Sequence, residues 1–235
     1  MSEIKLDYLN LHKIISYGCP VNIIITERGK GKSFALKDYC INKFIKKDYQ
    51  FLYLRRYDNE LKSIFQETKG VKRDFFNDIR NKYENFELEA KNRQFLINKE
   101  TFGIAKRMTE AQDLKSTENS NIKTIFIDEY GIEKNSHRFY LPNEGMVLMG
   151  IFDSIARNRS DIKIFILSNA VEDIEYSPLF TFFNLSLPFN SEYKTFKDNT
   201  ILVYYSRDKK FQEQRKHTLI GKLASGTKYE DYAIN

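Results

Sequence analysis

Val21-Asn22-Ile23-Ile24-Ile25-Thr26-Glu27-Arg28-Gly29-Lys30-Gly31-Lys32-Ser33-Phe34 is the stretch that decides the fold. A β-branched run ends at Thr26, two glycines flank a lysine, and helical periodicity begins at Lys32-Ser33. Strand, glycine-rich loop, lysine, hydroxyl and helix, in that order, are the context of a phosphate-binding loop. Gly29 and Gly31 let the backbone curl so that successive N–H groups face phosphate oxygens. The helix opening at Lys32 adds the positive end of its dipole. In this reading Lys32 reaches the β- and γ-phosphates of ATP and Ser33 ligates Mg²⁺. The nucleotide-binding set is Glu27, Arg28, Gly29, Lys30, Gly31, Lys32, Ser33 and Phe34. Thr26 stands where the loop consensus has glycine, which predicts a negative φ at that turn. The competing reading is an ordinary strand-to-helix turn that contains Gly-Lys-Ser.

Working outward, Thr124-Ile125-Phe126-Ile127-Asp128-Glu129 is a second anchor. An apolar run ending in two carboxylates reads as the C-terminal edge of a buried parallel strand. Asp128 is placed on Mg²⁺ through its water shell, and Glu129 polarises the attacking water. Ile162–Leu167 is a further buried strand, stopping at Ser168-Asn169. Ligands of α/β sheets sit beyond the carboxyl ends of the strands, so Ser168 and Asn169 are read as sensors of the γ-phosphate or attacking water. A plain asparagine turn is the alternative.

Between the anchors the pattern alternates helix and strand. Residues 7–17 suit a short helix, on which Tyr8 or His12 lies against an adenine ring or simply packs on the sheet. Phe51–Leu54 is a strand whose tip carries Arg55-Arg56; these hold DNA phosphate, a neighbour's nucleotide, or only solvent. Residues 58–84 read as two helices broken at Gly70, with Lys62, Lys69, Lys72, Arg73, Arg80 and Lys82 as a basic face for a nucleic-acid backbone. Phe86–Ile97 reads as a hairpin turning at Lys91-Asn92-Arg93, and Thr101–Ala105 as a short strand. Residues 144–157 are helical, 180–189 and 200–205 are edge strands, and 206–224 are charged and partly helical.

Composition sets the frame. The chain has 235 residues, is 41% apolar and 30% charged, and carries a formal charge of +6, which fits a globular protein with a polyanionic partner. Two cysteines without a C-x-x-C pair and three scattered histidines predict a reducing compartment without structural zinc. With neither a signal core nor an apolar run of membrane-spanning length, the expected location is the cytoplasm, with no membrane partner.

With both anchors placed, the order of motifs resembles the DNA-packaging ATPases of phi29-like tailed phages, relatives of the large terminase motors. Glu27-Arg28-Gly29-Lys30-Gly31-Lys32-Ser33, Phe51-Leu52-Tyr53-Leu54-Arg55-Arg56-Tyr57 and Ile125-Phe126-Ile127-Asp128-Glu129-Tyr130 carry the resemblance. Leu141-Pro142-Asn143-Glu144, Arg157-Asn158-Arg159 and Leu167-Ser168-Asn169-Ala170 complete it, over nearly the whole chain. The resemblance implies an α/β fold of ASCE-type P-loop NTPase class, a mostly parallel sheet flanked by helices. In that fold the strand ending at Ser168 lies between the strand entering the loop and the one ending at Asp128. It implies an ATP-hydrolysing, Mg²⁺-dependent motor that drives double-stranded DNA into a capsid, acting as a homo-oligomeric ring, a pentamer, on the portal of a procapsid in the host cytoplasm. Arg157 matches the arginine finger that enters the neighbouring subunit's site, and Arg28 the loop arginine of packaging motors; with Glu129 they form the expected catalytic set. DNA contacts are assigned to Arg55, Arg56, Lys72 and Arg73. The expected domains are an ATPase domain at 1–205 and a tail at 206–235 leading to a second, smaller domain that family members carry. A single-strand helicase or replication-initiator ATPase, and a nucleotide-gated DNA-binding module, are the competing functions.

Overall fold

The computed structural model describes residues 8–66, 73–110, 121–133, 136–171, 173–206 and 208–227. The loop strand β1 (Val21–Thr26) is followed by α2 (Lys32–Lys47), after a short α1 (Leu11–Ser16). Then come β2 (Gln50–Arg55), α3 (Asp58–Phe65), β3 (Leu88–Lys91), β4 (Gln94–Ile97), β5 (Glu100–Arg107) and β6 (Ile122–Ile127). The chain continues through α4 (Glu144–Ala156), β7 (Lys163–Asn169), α5 (Pro178–Phe183), β8 (Tyr193–Phe196), β9 (Ile201–Tyr205), α6 (Lys209–Lys216) and α7 (Leu219–Ala224).

These strands form one sheet in the order β3-β4-β5-β2-β6-β7-β1-β9-β8. The six strands from β5 to β9 in that order run parallel, with antiparallel strands closing both ends. β7 sits between β1 and β6, the placement implied by the ASCE resemblance. Buried on both faces, the inner parallel strands β2, β6, β7 and β1 are mostly apolar, and their period of two sorts the side chains. Phe51, Tyr53, Phe126, Phe165 and Leu167 face α1, α2 and α3. Leu52, Leu54, Ile125, Ile127, Ile164 and Ile166 face α4 and α5.

The hairpin expected over 86–97 is present, turning on Asn92 and Arg93, both at positive φ as two-residue turns require. Three expectations change. Residues 75–79 form turns and a 3₁₀ turn follows at Arg80–Lys82, so no second helix occupies 73–84. Phe75, Phe76, Ile79 and Tyr83 are buried there without helical spacing being needed. The strand expected over 180–189 does not form: its start lies in helix α5, where Pro178 occupies the first turn and a missing N–H is harmless, and 184–189 carry no strand. β8 went unforeseen; its Tyr193 and Lys194 are exposed, so no apolar alternation marks it.

Gly103 lies between two aromatic residues of its neighbouring strands. It pairs with Phe51 on β2 and Phe95 on β4, whose rings stack at 5.1 Å. A Cβ at 103 would meet the Phe51 ring at 2.2 Å. Gly103→Ala is expected to lower stability by about 1–3 kcal/mol through overpacking, read from urea unfolding; an unchanged midpoint contradicts this packing.

Candidate nucleotide-binding site

Parallel order delivers the C-terminal ends of β1, β7 and β6 to one edge of the sheet. There Gly29, Gly31, Lys32, Ser33, Asp128, Glu129, Ser168 and Asn169 line a cleft of about 600 Å³ with Arg28 and Phe34 at its rim. Gly29 and Gly31 adopt φ of +85° and +80°, a region costly for other residues. Thr26 is not among the positive-φ residues, as its Cβ predicted. Its hydroxyl has a use: it accepts from the Lys32 ammonium at 3.0 Å and donates to the Glu27 carbonyl at 3.0 Å.

Lys32 also donates to the Thr26 and Glu27 carbonyls at 3.3 and 3.0 Å and to Asn169 Oδ1 at 3.1 Å. All four acceptors are uncharged. Burial therefore lowers the Lys32 pKa to about 8, against the pull of Asp128 and Glu27. Ser33 Oγ donates to Asp128 Oδ1 and Oδ2 at 3.2 and 3.1 Å. A hydroxyl beside a carboxylate is a hard oxygen donor set that fits Mg²⁺. Burial pushes the Asp128 carboxyl up, with Arg55 opposing.

Glu129 adopts φ +53°, strained for a residue with a Cβ, immediately beside Asp128. Its carboxylate meets Arg55 Nη2 at 2.6 Å. Burial would raise its pKa, but Arg55 holds it below the usual carboxylate range. Gly131 clears space here; a Cβ on it would meet Ser168 Oγ at 2.3 Å. Ser168 Oγ itself donates to the Asn169 carbonyl at 2.7 Å.

Other candidates have different surroundings from those expected, although Arg56 also lines the cleft. Arg55 and Arg56 do not offer a surface to DNA. Arg55 is buried among Glu60 at 3.0 Å, Glu129, and Asp128 at 4.0 Å. Arg56 is buried in a two-pronged pair with Glu144 at 2.7 and 2.8 Å and donates to the Tyr130 carbonyl. Of the basic face, Lys62, Arg80 and Lys82 are paired with Asp58, Asp74 and Asp38. Arg73 is exposed at the rim of a second cavity beside Glu129; Lys69 and Lys72 lie outside the described residues. The Lys30 ammonium turns away from the cleft onto Asp208 and the Phe211 ring. Glu27 likewise faces α6, accepting from Asp208 N at 2.8 Å. Arg157 caps the far end of α4, whose 13 residues span about 20 Å. It therefore does not join this chain's own cleft. Tyr8 and His12 line a groove of about 1100 Å³ that reaches the loop at Gly31 and Phe34.

The sequence reading missed Glu60, Arg138, Glu144 and Arg215 as parts of this region. Arg138 pairs with Glu60 at 2.6 Å and approaches Glu129 at 3.9 Å. Only Glu144 had a signal, in the Leu141-Pro142-Asn143-Glu144 motif.

Sheet order, glycine loop and paired carboxylates define an ASCE-type P-loop NTPase fold. A family model described as Podovirus DNA encapsidation protein (Gp16) matches residues 4–235, and the chain belongs to that family. It is 36% identical over 228 residues to the DNA packaging proteins of Bacillus phages PZA and phi29, covering 97% of this chain. The chain spans 65% of the length of those relatives. The crystal structure of the N-terminal domain of the DNA packaging ATPase from bacteriophage phi29 matches with a TM-score of 0.73 at 35% identity, covering 87% of this chain and 98% of that one. A chain of the bacteriophage phi29 viral genome packaging motor assembly matches with a TM-score of 0.75 at 33% identity, covering 97% of this chain and 67% of that one. Among the described residues no helix is long and apolar enough to cross a membrane.

Two outcomes are expected. With a pKa of about 8, Lys32 is half protonated at pH 8, and a triphosphate favours its charged form. Mg-ATP binding at pH 8 should take up about half a proton through this group, and almost none at pH 6.5 where it is charged in both states. The dependence of calorimetric heat on buffer ionisation enthalpy measures this uptake. Separately, Glu144→Ala strands the buried Arg56 guanidinium and should lower stability by about 3–5 kcal/mol in urea unfolding; a loss under 1 kcal/mol contradicts a structural role for the pair.

Proposed function

We propose that the chain is the ATPase module of a phage motor that packages double-stranded DNA into a preformed capsid. The observation that carries this is the convergence of Lys32, Ser33, Asp128, Glu129 and Asn169, from three strand ends, on one cleft. Backbone N–H groups of the glycine loop and the Lys32 ammonium bind the β- and γ-phosphates. Ser33 and, through water, Asp128 would hold Mg²⁺, which supplies charge neutralisation on the phosphates. Glu129 is the general base: one of its oxygens accepts the proton of the attacking water after leaving Arg55. Ser168 and Asn169 report on the γ-phosphate, Asn169 through the Lys32 hydrogen bond it already makes. Arg28 stands at the cleft rim, and Tyr8, His12 and Phe34 flank the base in the adjoining groove.

Arg157 acts in trans, its guanidinium stabilising charge on a neighbour's transferring phosphoryl group within a homomeric ring on the portal. In this reading residues 1–205 are the ATPase domain, and 206–235 the tail that follows it. Family membership and the named relatives support the packaging assignment.

Lys32→Ala and Glu129→Gln should abolish steady-state ATP hydrolysis, the latter by at least about 10²-fold with Mg-ATP binding retained. Arg157→Ala should be inactive alone, yet regain turnover when mixed with Glu129→Gln subunits that supply the arginine. Hydrolysis should be stimulated by duplex DNA above single strands. Normal turnover by Arg157→Ala alone in assembled rings rules out the trans role, and a preference for single strands favours a helicase.

A further inference from the structure

The phosphate loop is pinned from outside at two carbonyls. Leu9 N donates to the Lys30 carbonyl at 2.9 Å. From α6, Arg215 Nη1 donates to the Arg28 carbonyl, and the guanidinium lies 3.9 Å from where a Gly29 Cβ would be. A trans peptide is planar, with its C=O and N–H pointing in opposite directions. No cis peptide occurs among the described residues. Holding the Arg28 carbonyl toward α6 therefore turns the N–H of the same peptide, that of Gly29, away from α6, and both Arg28 and Gly29 line the cleft. Gly29, without a side chain, has little local preference among orientations, and the Arg215 hydrogen bond selects one.

The helix that carries Arg215 is itself anchored to the loop. Asp208 accepts from Phe211 N at 3.1 Å as the N-cap of α6 and takes the Lys30 ammonium on its other oxygen. Phe211 is buried beneath that ammonium, 4.4 Å from ring centre to nitrogen.

We propose that Arg215 is a positioning residue for the nucleotide, aiming the Gly29 N–H at the triphosphate and so linking the docking of α6 to occupancy of the loop. This rests on the nucleotide reading of the cleft. The linkage is reciprocal: a bound triphosphate tightens α6, and displacing α6 loosens the triphosphate.

The test uses the full chain as wild type, Arg215→Met and Arg215→Lys. Mg-ATP affinity is read by titration calorimetry, beside thermal melting without nucleotide. Arg215→Met should bind about tenfold more weakly, the range of a lost charged hydrogen bond. Arg215→Lys keeps a donor and should recover part of the affinity, while the two variants melt alike. Wild-type affinity in Arg215→Met, or no advantage of lysine over methionine, overturns the proposal. In the wild-type chain, amide exchange across Lys209–Lys216 should slow when Mg²⁺ and a non-hydrolysable ATP analogue are added. Unchanged exchange overturns the linkage even where a variant fails to fold. A wild-type chain that binds no Mg-ATP removes the nucleotide reading itself, and this proposal with it.

Discussion

The Lys32 ammonium is buried against four oxygens that carry no charge, and the cleft is organised around that unfinished electrostatic arrangement. A lysine brought from its ordinary pKa to about 8 holds on the order of 3 kcal/mol in the ligand-free fold. A polyphosphate is the kind of ligand that supplies the missing negative charge. Sheet topology sets this up. Thr26 and Asn169 are register partners on β1 and β7, so both present oxygens to a lysine arriving from the first turn of α2. β6, next in the order, brings Asp128 to the neighbouring Ser33. Moving β7 from between β1 and β6 would break both contacts at once.

Arg55 is the second centre of charge. Three carboxylates converge on its guanidinium, and its pKa stays above the ordinary value although burial opposes the charge. Glu60 is the partner it shares with Arg138, and Glu129 the one that stays half exposed. That asymmetry matters for the proposed hydrolysis. A carboxylate engaged at 2.6 Å by a guanidinium is a poor base for water. Glu60 would remain as a buried partner for Arg55 were Glu129 to leave it, so the proposed release of the base would not leave an unpaired buried cation.

Much of this was legible in the sequence because it rests on local signals. The β-branched run into Gly29-Lys30-Gly31-Lys32-Ser33 and the apolar run into Asp128-Glu129 announce strands and their edge directly. The position of β7 between them was not local; it came only with the resemblance. Arg55 and Arg56 were misread because a cation at a strand tip looks the same whether water or carboxylates surround it. Their partners Glu129 and Glu144 lie 74 and 88 residues away, beyond any periodicity, and Glu60, 5 residues on, is reached only across the turn from β2 into α3. The Phe180 stretch was misread because aromatic residues suit a strand, yet Pro178 at the first turn and burial of Leu179 and Phe180 favour helix. Arg215 gave no signal, since its target is a backbone carbonyl that sequence does not mark.

The Arg56–Glu144 pair bears on how a cleft event reaches the far edge of the sheet. Glu144 opens α4, accepts from Leu141 N at 2.8 Å, and is tied through Arg56 to the carbonyl of Tyr130, the residue after Glu129. Tyr130 in turn accepts a hydrogen bond on its hydroxyl from Leu179 N and donates its own N–H to the Leu167 carbonyl beside Ser168. The start of α4 is thus bonded to both strand ends that flank the proposed γ-phosphate position. Leu148, Ile151 and Ile155 bury the rest of the helix against the sheet, and a packed interior yields by moving whole elements more readily than by compressing. At the other end Arg157 holds φ +46°, a conformation that a residue with a Cβ adopts only under constraint. Helix α4 is therefore a packed rod of about 20 Å between the bonds that hold Tyr130 and the arginine proposed to serve the next subunit.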